Sequence, residues 1–243
     1  MPFSARQGFF SLAFVEDLNN GSFRFSTTSD RIDANDAVIP LDSDFTVEGF
    51  FRYDPNARAR GHILGQFEAA PGRILILHRG SPLHRLEVFI GGPTSGDNLS
   101  LVFESDLDNA NADTFFHFAL TRDTSTNTYT TFFNGEIKNS AVRTFALLDR
   151  KLEIGDTEDF GTREGLIGFM DEIRISNNVR YTGNYTVPDK QFRDDANTLM
   201  LLHCNDDEGD PLLVDDNSVT GRTAVTFTNI ADSVTSNTSV QAF

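Results

Sequence analysis

Residues 45–53 read Phe45-Thr46-Val47-Glu48-Gly49-Phe50-Phe51-Arg52-Tyr53. In an extended chain Phe45, Val47, Phe51 and Tyr53 share one face, and Thr46, Glu48 and Arg52 share the other. Phe50 is the exception, an apolar residue on the polar side. A period of two marks a strand with one face on a core. The same period recurs outward from this stretch. Phe116, Phe118 and Leu120 alternate with His117, Ala119 and Thr121, Leu152 and Ile154 flank Glu153, and Ile173 and Ile175 flank Arg174. Residues 86–90 and 99–103 alternate more loosely. Ile74-Leu75-Ile76-Leu77 is continuously apolar, which suits a strand covered on both faces.

Turn chemistry separates these runs. Pro71-Gly72, Gly91-Gly92-Pro93 and Ser95-Gly96-Asp97 are loop signals. The clearest is Phe132-Phe133-Asn134-Gly135-Glu136-Ile137, because Asn and Gly both tolerate positive φ and so close a two-residue hairpin. No window of eleven residues carries a helical stripe, and residues 106–113 offer one helical turn at most. Many short strands spaced by turns predict an all-β fold, a two-sheet antiparallel jelly-roll sandwich. No linker interrupts the chain, so residues 1–243 read as a single domain.

The 243 residues carry 20 basic and 36 acidic side chains, a formal charge of −16. Such a surface repels polyanions, which excludes nucleic acid as the main partner and a polybasic membrane anchor. No apolar run approaches the length of a membrane span. Residues 8–15 are mostly apolar, but Glu16-Asp17 follows and no small-x-small cleavage site is visible. They read as a strand and not as a signal peptide. Aromatic usage is lopsided, with 23 Phe, 4 Tyr and no Trp. Phe has no polar handle, so most of these rings are expected in packing. The lone Cys204 excludes an intramolecular disulfide and, at the end of the apolar run Leu199-Met200-Leu201-Leu202-His203, reads as a buried inert thiol.

Four blocks carry a family resemblance. Residues 45–52 match a strand of the pattern "dFTiE-wv", with Phe50 where Trp is usual. Phe116-His117-Phe118-Ala119-Leu120-Thr121-Arg122 followed by Phe132-Phe133-Asn134-Gly135 matches "W-hvAltRd … lyvNG". Leu152-Glu153-Ile154-Gly155 matches "l-iG". Ile167-Gly168-Phe169-Met170-Asp171-Glu172-Ile173-Arg174-Ile175-Ser176, with Arg180-Tyr181-Thr182 and Val187-Pro188, matches "f-GyiDEvRis … aRYt-nftvP". Over residues 20–190 the chain resembles the laminin G-like branch of the concanavalin A-like lectin/glucanase superfamily, and among its members the versions in phage virion proteins (tail fibre or capsid decoration). Residues 198–206 and 213–216 resemble a segment that in this family precedes the first block. The resemblance therefore implies that residues 190–230 supply the opening strand, either as a permutation or by exchange with a neighbouring copy. Residues 231–243, rich in Ser, Thr and Asn, read as a tail or docking arm.

The charges of the Asp171–Ser176 block have a structural reading: Ile173 and Ile175 are buried, and Asp171 or Glu172 pairs with Arg174 or Arg180 to fix the following turn. His117 and His203 fall on family strand positions and read as structural.

Catalysis has to be tested because the superfamily includes glucanases. Retaining glycosidases need two carboxylates about 5 Å apart, and relatives place them at alternate strand positions. No such motif exists here, and Asp171-Glu172 are adjacent, so they point to opposite faces. The five histidines, His62, His78, His84, His117 and His203, form no HxH or HExxH pair. No catalytic or cofactor-binding residue is assigned, and an enzyme is not expected. Calcium is the one metal with candidate ligands, Asp206, Asp207, Asp210 and Asp215, although their spacing is not that of a dedicated calcium loop and an acidic loop is more often simply solvated. Four sequons, at Asn20, Asn98, Asn184 and Asn237, matter only in a secreted eukaryotic chain.

Two function classes remain. The resemblance implies a non-enzymatic structural protein of a phage virion surface, made in the host cytoplasm. Its partners would be other virion proteins and, by homo-oligomerisation, copies of itself. The length from Met1 and the lack of a leader or disulfides favour that reading. The alternative is an extracellular lectin-like module or adhesin that binds host-surface glycans, with calcium as an option. The absence of Trp weighs against it.

Overall fold

The alternation of residues 45–53 becomes a nine-residue strand in the middle of a sheet. The computed structural model describes residues 21–34, 36, 38–54, 60–66, 72–79, 85–91, 99–104, 107, 114–144, 147–156, 164–203, 227–230 and 235–237. Among the described residues there are fifteen strands and no helix, hence no helix long and apolar enough to cross a membrane. The first eight are β1 (Ser22–Phe25), β2 (Arg31–Ala34), β3 (Phe45–Tyr53), β4 (Gly61–Gln66), β5 (Ile74–Arg79), β6 (Arg85–Ile90), β7 (Leu99–Glu104) and β8 (Phe116–Asp123). Then come β9 (Thr128–Phe133), β10 (Glu136–Val142), β11 (Glu153–Ile154), β12 (Gly168–Ser176), β13 (Thr198–Leu202), β14 (Phe227–Ile230) and β15 (Thr235–Asn237).

The first sheet runs β10-β9-β8-β3-β12-β1-β15, with β13 also on β12. The second runs β14-β2-β11-β4-β5-β6-β7. All pairings between these strands are antiparallel. This is the two-sheet antiparallel sandwich expected from the alternation and turn pattern.

The core lies between the sheets. Phe45, Val47, Phe51 and Tyr53 of β3 meet Phe116, Phe118 and Leu120 of β8 and Met170, Ile173 and Ile175 of β12. Ile32, Leu64, Ile74, Ile76 and Val88 face them from the second sheet. A fully buried side chain of this size contributes roughly 1.5–3 kcal/mol relative to exposure, and the alternation supplies such residues at every second position. The run Ile74–Leu77 is covered on both sides: Ile74 and Ile76 join the main core, while Leu75 and Leu77 pack with Phe89 on the outer face.

Phe50 does not break the period. It faces outward with Thr46 and Glu48, and it is 4% exposed because Phe192, Leu201, Phe115 and Val187 form a second apolar cluster on that outer face. Strands β1 and β13 lie end to end along one side of β12: β1 opposes Gly168–Met170, and β13 opposes Ile173–Ser176. Within residues 231–243, Thr235–Asn237 extend the first sheet beyond β1; just before that range, Phe227–Ile230 form an edge of the second sheet. Residues 8–15, His84, Cys204 and the acidic stretch holding Asp206, Asp207, Asp210 and Asp215 lie outside the described residues, as does residue 106 with 108–113.

Candidate functional site

Residues 177–197 join β12 to β13 without forming a strand, and they cross the outer face of the first sheet as a strap. The strap is anchored on Glu48, whose carboxylate is completely buried. Arg174 Nε and Nη2 donate to Glu48 Oε1 at 2.9 and 2.7 Å, and the Tyr181 hydroxyl donates to Oε2 at 2.6 Å. Such charge-assisted bonds are the strong ones. His117 Nε2 stands 3.4 Å from Oε2, longer than an ordinary hydrogen bond. Its Nδ1 meets the Tyr185 hydroxyl at 3.1 Å. The rings of Tyr181 and Tyr185 stack with centroids 3.6 Å apart, and Phe132 supports both.

Two further ties hold the far half of the strap. Arg180 forks onto Asp195 with bonds of 2.8 and 2.9 Å and reaches Ser176 Oγ at 2.6 Å. Glu172 accepts from the Phe192 N–H at 2.7 Å and meets His203 Nδ1 at 2.9 Å. The sequence expectation that Asp171 or Glu172 would pair with Arg174 or Arg180 is therefore corrected for Glu172. The pairing of β12 with β3 breaks register between Asp171 and Arg174, and Glu172 takes the left-handed φ of 50° within this bulge. The bulge, not simple alternation, aims Glu172, and the residue cross-strand from Arg174 is Glu48.

Burial alone would raise the Glu48 carboxyl, but His117, Arg174 and Tyr181 more than offset it and hold it below the usual carboxylate range. Arg180, with help from the Asn197 N–H, holds Asp195 well below its ordinary value. Glu172 is pushed up, because burial outweighs His203 and the Phe192 amide. Burial raises the Tyr181 and Tyr185 hydroxyls, and the Glu48 charge adds to it, so both remain protonated donors. A depressed carboxyl gives stability that is complete above its ordinary value and lost as pH falls through its folded value; Glu172 contributes with the opposite sign. The strap is therefore expected to loosen on acidification below about pH 4. Two of the four tyrosines sit on it and no Trp masks them, so near-ultraviolet circular dichroism should change at a higher pH than the far-ultraviolet strand signal. Coincident transitions would show that the strap has no separate acid response.

Beside the strap lies an open groove of about 470 Å³, lined by Phe50, Phe115, His117, Asn134, Val187, Pro188 and Asp189. Its wall depends on the Asn134-Gly135 turn expected from sequence. Both residues take positive φ, 47° and 79°, as a two-residue hairpin between β9 and β10 requires. Asn134 Oδ1 accepts from the His117 N–H at 2.9 Å, and the Gly135 carbonyl accepts from the Tyr185 N–H at 2.8 Å. A side chain at Gly135 would run into the Tyr185 carbonyl. One turn thus closes the hairpin, fixes a groove residue and clamps the strap.

The site differs in kind from the candidate ligands that the sequence suggested. The four aspartates offered for calcium lie outside the described residues, and among the described residues no group of three or more His, Cys, Asp or Glu could hold a metal. His117 and His203, read as structural, do hold the strap. Phe115, Asn134, Val187 and Asp189 carry no ligand-binding motif. The available signal was indirect: Phe50 on a polar face and the tyrosines of Arg180-Tyr181-Thr182-Gly183-Asn184-Tyr185, which together mark a covered outer surface.

No protein-family model matches this chain, and no curated protein does. Solved structures do. A candidate carbohydrate-binding protein from Bacteroides ovatus superposes with a TM-score of 0.59 at 18% identity, over 90% of this chain. The fold is a two-sheet antiparallel jelly-roll sandwich. This chain spans 60% of the length of the Bacteroides protein. The CBM40 module of the Ruminococcus gnavus IT-sialidase, bound to α2,3-sialyllactose, gives 0.51 at 12% identity, covering 66% of this chain and 91% of the module. The extracellular region of zebrafish Gpr126 gives 0.51 at 17% identity, covering 77% of this chain and 25% of that one.

Proposed function

We propose that this chain is a non-catalytic, lectin-like module that binds carbohydrate in the groove beside the strap. The observation that carries the reading is the groove's composition on this fold. Phe115, Val187 and Pro188 offer apolar surface to the C–H face of a sugar ring above the buried Phe50, and Asn134 and Asp189 offer polar groups to its hydroxyls. Asn134 is held in place by its bond to the His117 amide, so part of the polar set is preorganised. The carbohydrate-binding descriptions of the Bacteroides protein and the Ruminococcus module support the same reading. Glu48 and Glu172, two of the buried carboxylates of this face, are engaged by protein donors, which favours binding over acid–base chemistry there. The virion setting rests on the sequence resemblance and concerns where such a module would be displayed, together with its virion partners, its oligomeric state and its localisation.

A glycan array followed by calorimetry tests the proposal. Phe115 is half-buried and packs on the rim of the outer cluster, so Phe115→Ala should keep the fold and weaken the bound glycan by roughly tenfold or more, the loss of one ring's apolar contact. Absence of binding to every glycan, or full binding by the variant, would overturn the proposal.

A further inference from the structure

We infer that the groove selects uncharged sugar chains and rejects sialylated or uronic ones, a specificity that rests on the carbohydrate-binding reading above. The described residues lining it carry one formal charge, Asp189, and no lysine or arginine. Recognition of a sugar carboxylate calls for the opposite, an Arg fork or a Lys. Arg52, on the same face of β3 as Phe50, lies over the Phe169 ring with 5.1 Å to its centroid, and the two arginines that anchor the strap are committed to carboxylates. Arg174 is held by Glu48 and Arg180 by Asp195, each through paired bonds of 2.7–2.9 Å. Turning either toward a ligand would strand a carboxylate, and for Glu48 a fully buried one. On the adjoining hairpin Lys138 is tied to Glu136 at 2.9 Å. Lys190 is exposed and follows Asp189 in sequence, so any anion it drew in would meet that carboxylate too. The net charge of −16 adds a longer-range repulsion.

The same groove suits a neutral ring. An exposed carboxylate accepts from sugar hydroxyls, and Phe115 with Val187 and Pro188 gives the apolar face a seat. The fold shared with a module bound to sialyllactose does not carry that module's specificity, since identity is 12% and none of the described lining residues is a lysine or arginine.

The experiment compares matched neutral and sialylated glycans on an array, then lactose against 3′-sialyllactose by calorimetry, for the whole chain and for Asp189→Lys. Asp189 is exposed, and circular dichroism confirms that the variant is folded. The neutral member of each pair should bind about tenfold more tightly or better, and Asp189→Lys should close most of that gap. The discrimination should shrink as salt is raised. Equal or tighter binding of the sialylated partner would overturn this inference while leaving the carbohydrate-binding reading intact. A neutral preference unchanged in Asp189→Lys would remove Asp189 as its cause and overturn it as argued. Binding of no glycan, neutral or charged, would overturn both.

Discussion

Replacing Glu48 with alanine should lower stability by about 3–5 kcal/mol and free the strap from the sheet. Glu48 sits on β3 with its side chain away from the main core, in a site closed by the strap together with Arg174 and His117. Its carboxylate accepts from Arg174 twice and from Tyr181, and it faces His117. Deleting it leaves the Arg174 guanidinium buried with its charge uncompensated, the costly half of a broken pair. Arg174 Nη1 would keep the Arg193 carbonyl at 3.3 Å and the guanidinium would keep its seat over Phe192, 4.3 Å from the ring centroid. Those contacts do not replace a counter-charge. The double variant Glu48→Ala with Arg174→Met should recover much of the loss, since removing both members takes away the stranded charge. Urea midpoints measure stability, and tyrosine near-ultraviolet dichroism reports the strap. A loss below about 1 kcal/mol would mean that apolar packing of Phe192, and not the ion pair, holds the strap.

The strands were legible in the sequence because alternation is a local signal. Phe45–Tyr53, Phe116–Leu120 and Gly168–Ser176 each carry it within nine residues or fewer. The Asn134-Gly135 turn was legible for a like reason, since its positive φ values follow from the two residue types. The outer face was not. Phe50 looks like an error in the pattern until Phe192, Leu201 and Val187 are brought to it from far along the chain, and spacing in the sequence says nothing of that. The same distance hid the partner of Arg174. Read locally, Asp171 and Glu172 are the nearest acids; in the fold a bulge turns Glu172 to Phe192 and His203, and the strand register sets Glu48 opposite. A groove made by a turn, two strands and a strap has no motif, because its residues are neighbours only after folding.

The groove and the outer apolar cluster share Phe50, Phe115 and Val187, and of these only Phe50 is buried, which makes Phe50→Ala the sharpest separation of stability from binding. The Phe50 ring is 4% exposed and packs edge-on against His117, 4.8 Å between centroids, and against Phe192 at 5.9 Å. Truncation should cost about 3–5 kcal/mol, the range for emptying a buried aromatic site. Phe51 is its neighbour in sequence and its opposite in direction: it is fully buried in the main core against Phe116 and Phe118. Phe51→Ala should cost a similar amount. The two variants differ in what else they disturb. Phe50 lines the groove and supports His117, which in turn holds Asn134 and Tyr185; Phe51 is not among the described residues that line it. At a temperature where both variants remain folded, glycan affinity should fall by roughly tenfold or more in Phe50→Ala and stay near the parent value in Phe51→Ala. Phe50→Leu keeps most of the apolar volume and should recover a large part of the stability while still lacking the flat ring. Equal loss of affinity in the Phe50 and Phe51 variants would show that binding follows global stability, and the outer groove would lose its claim to the ligand.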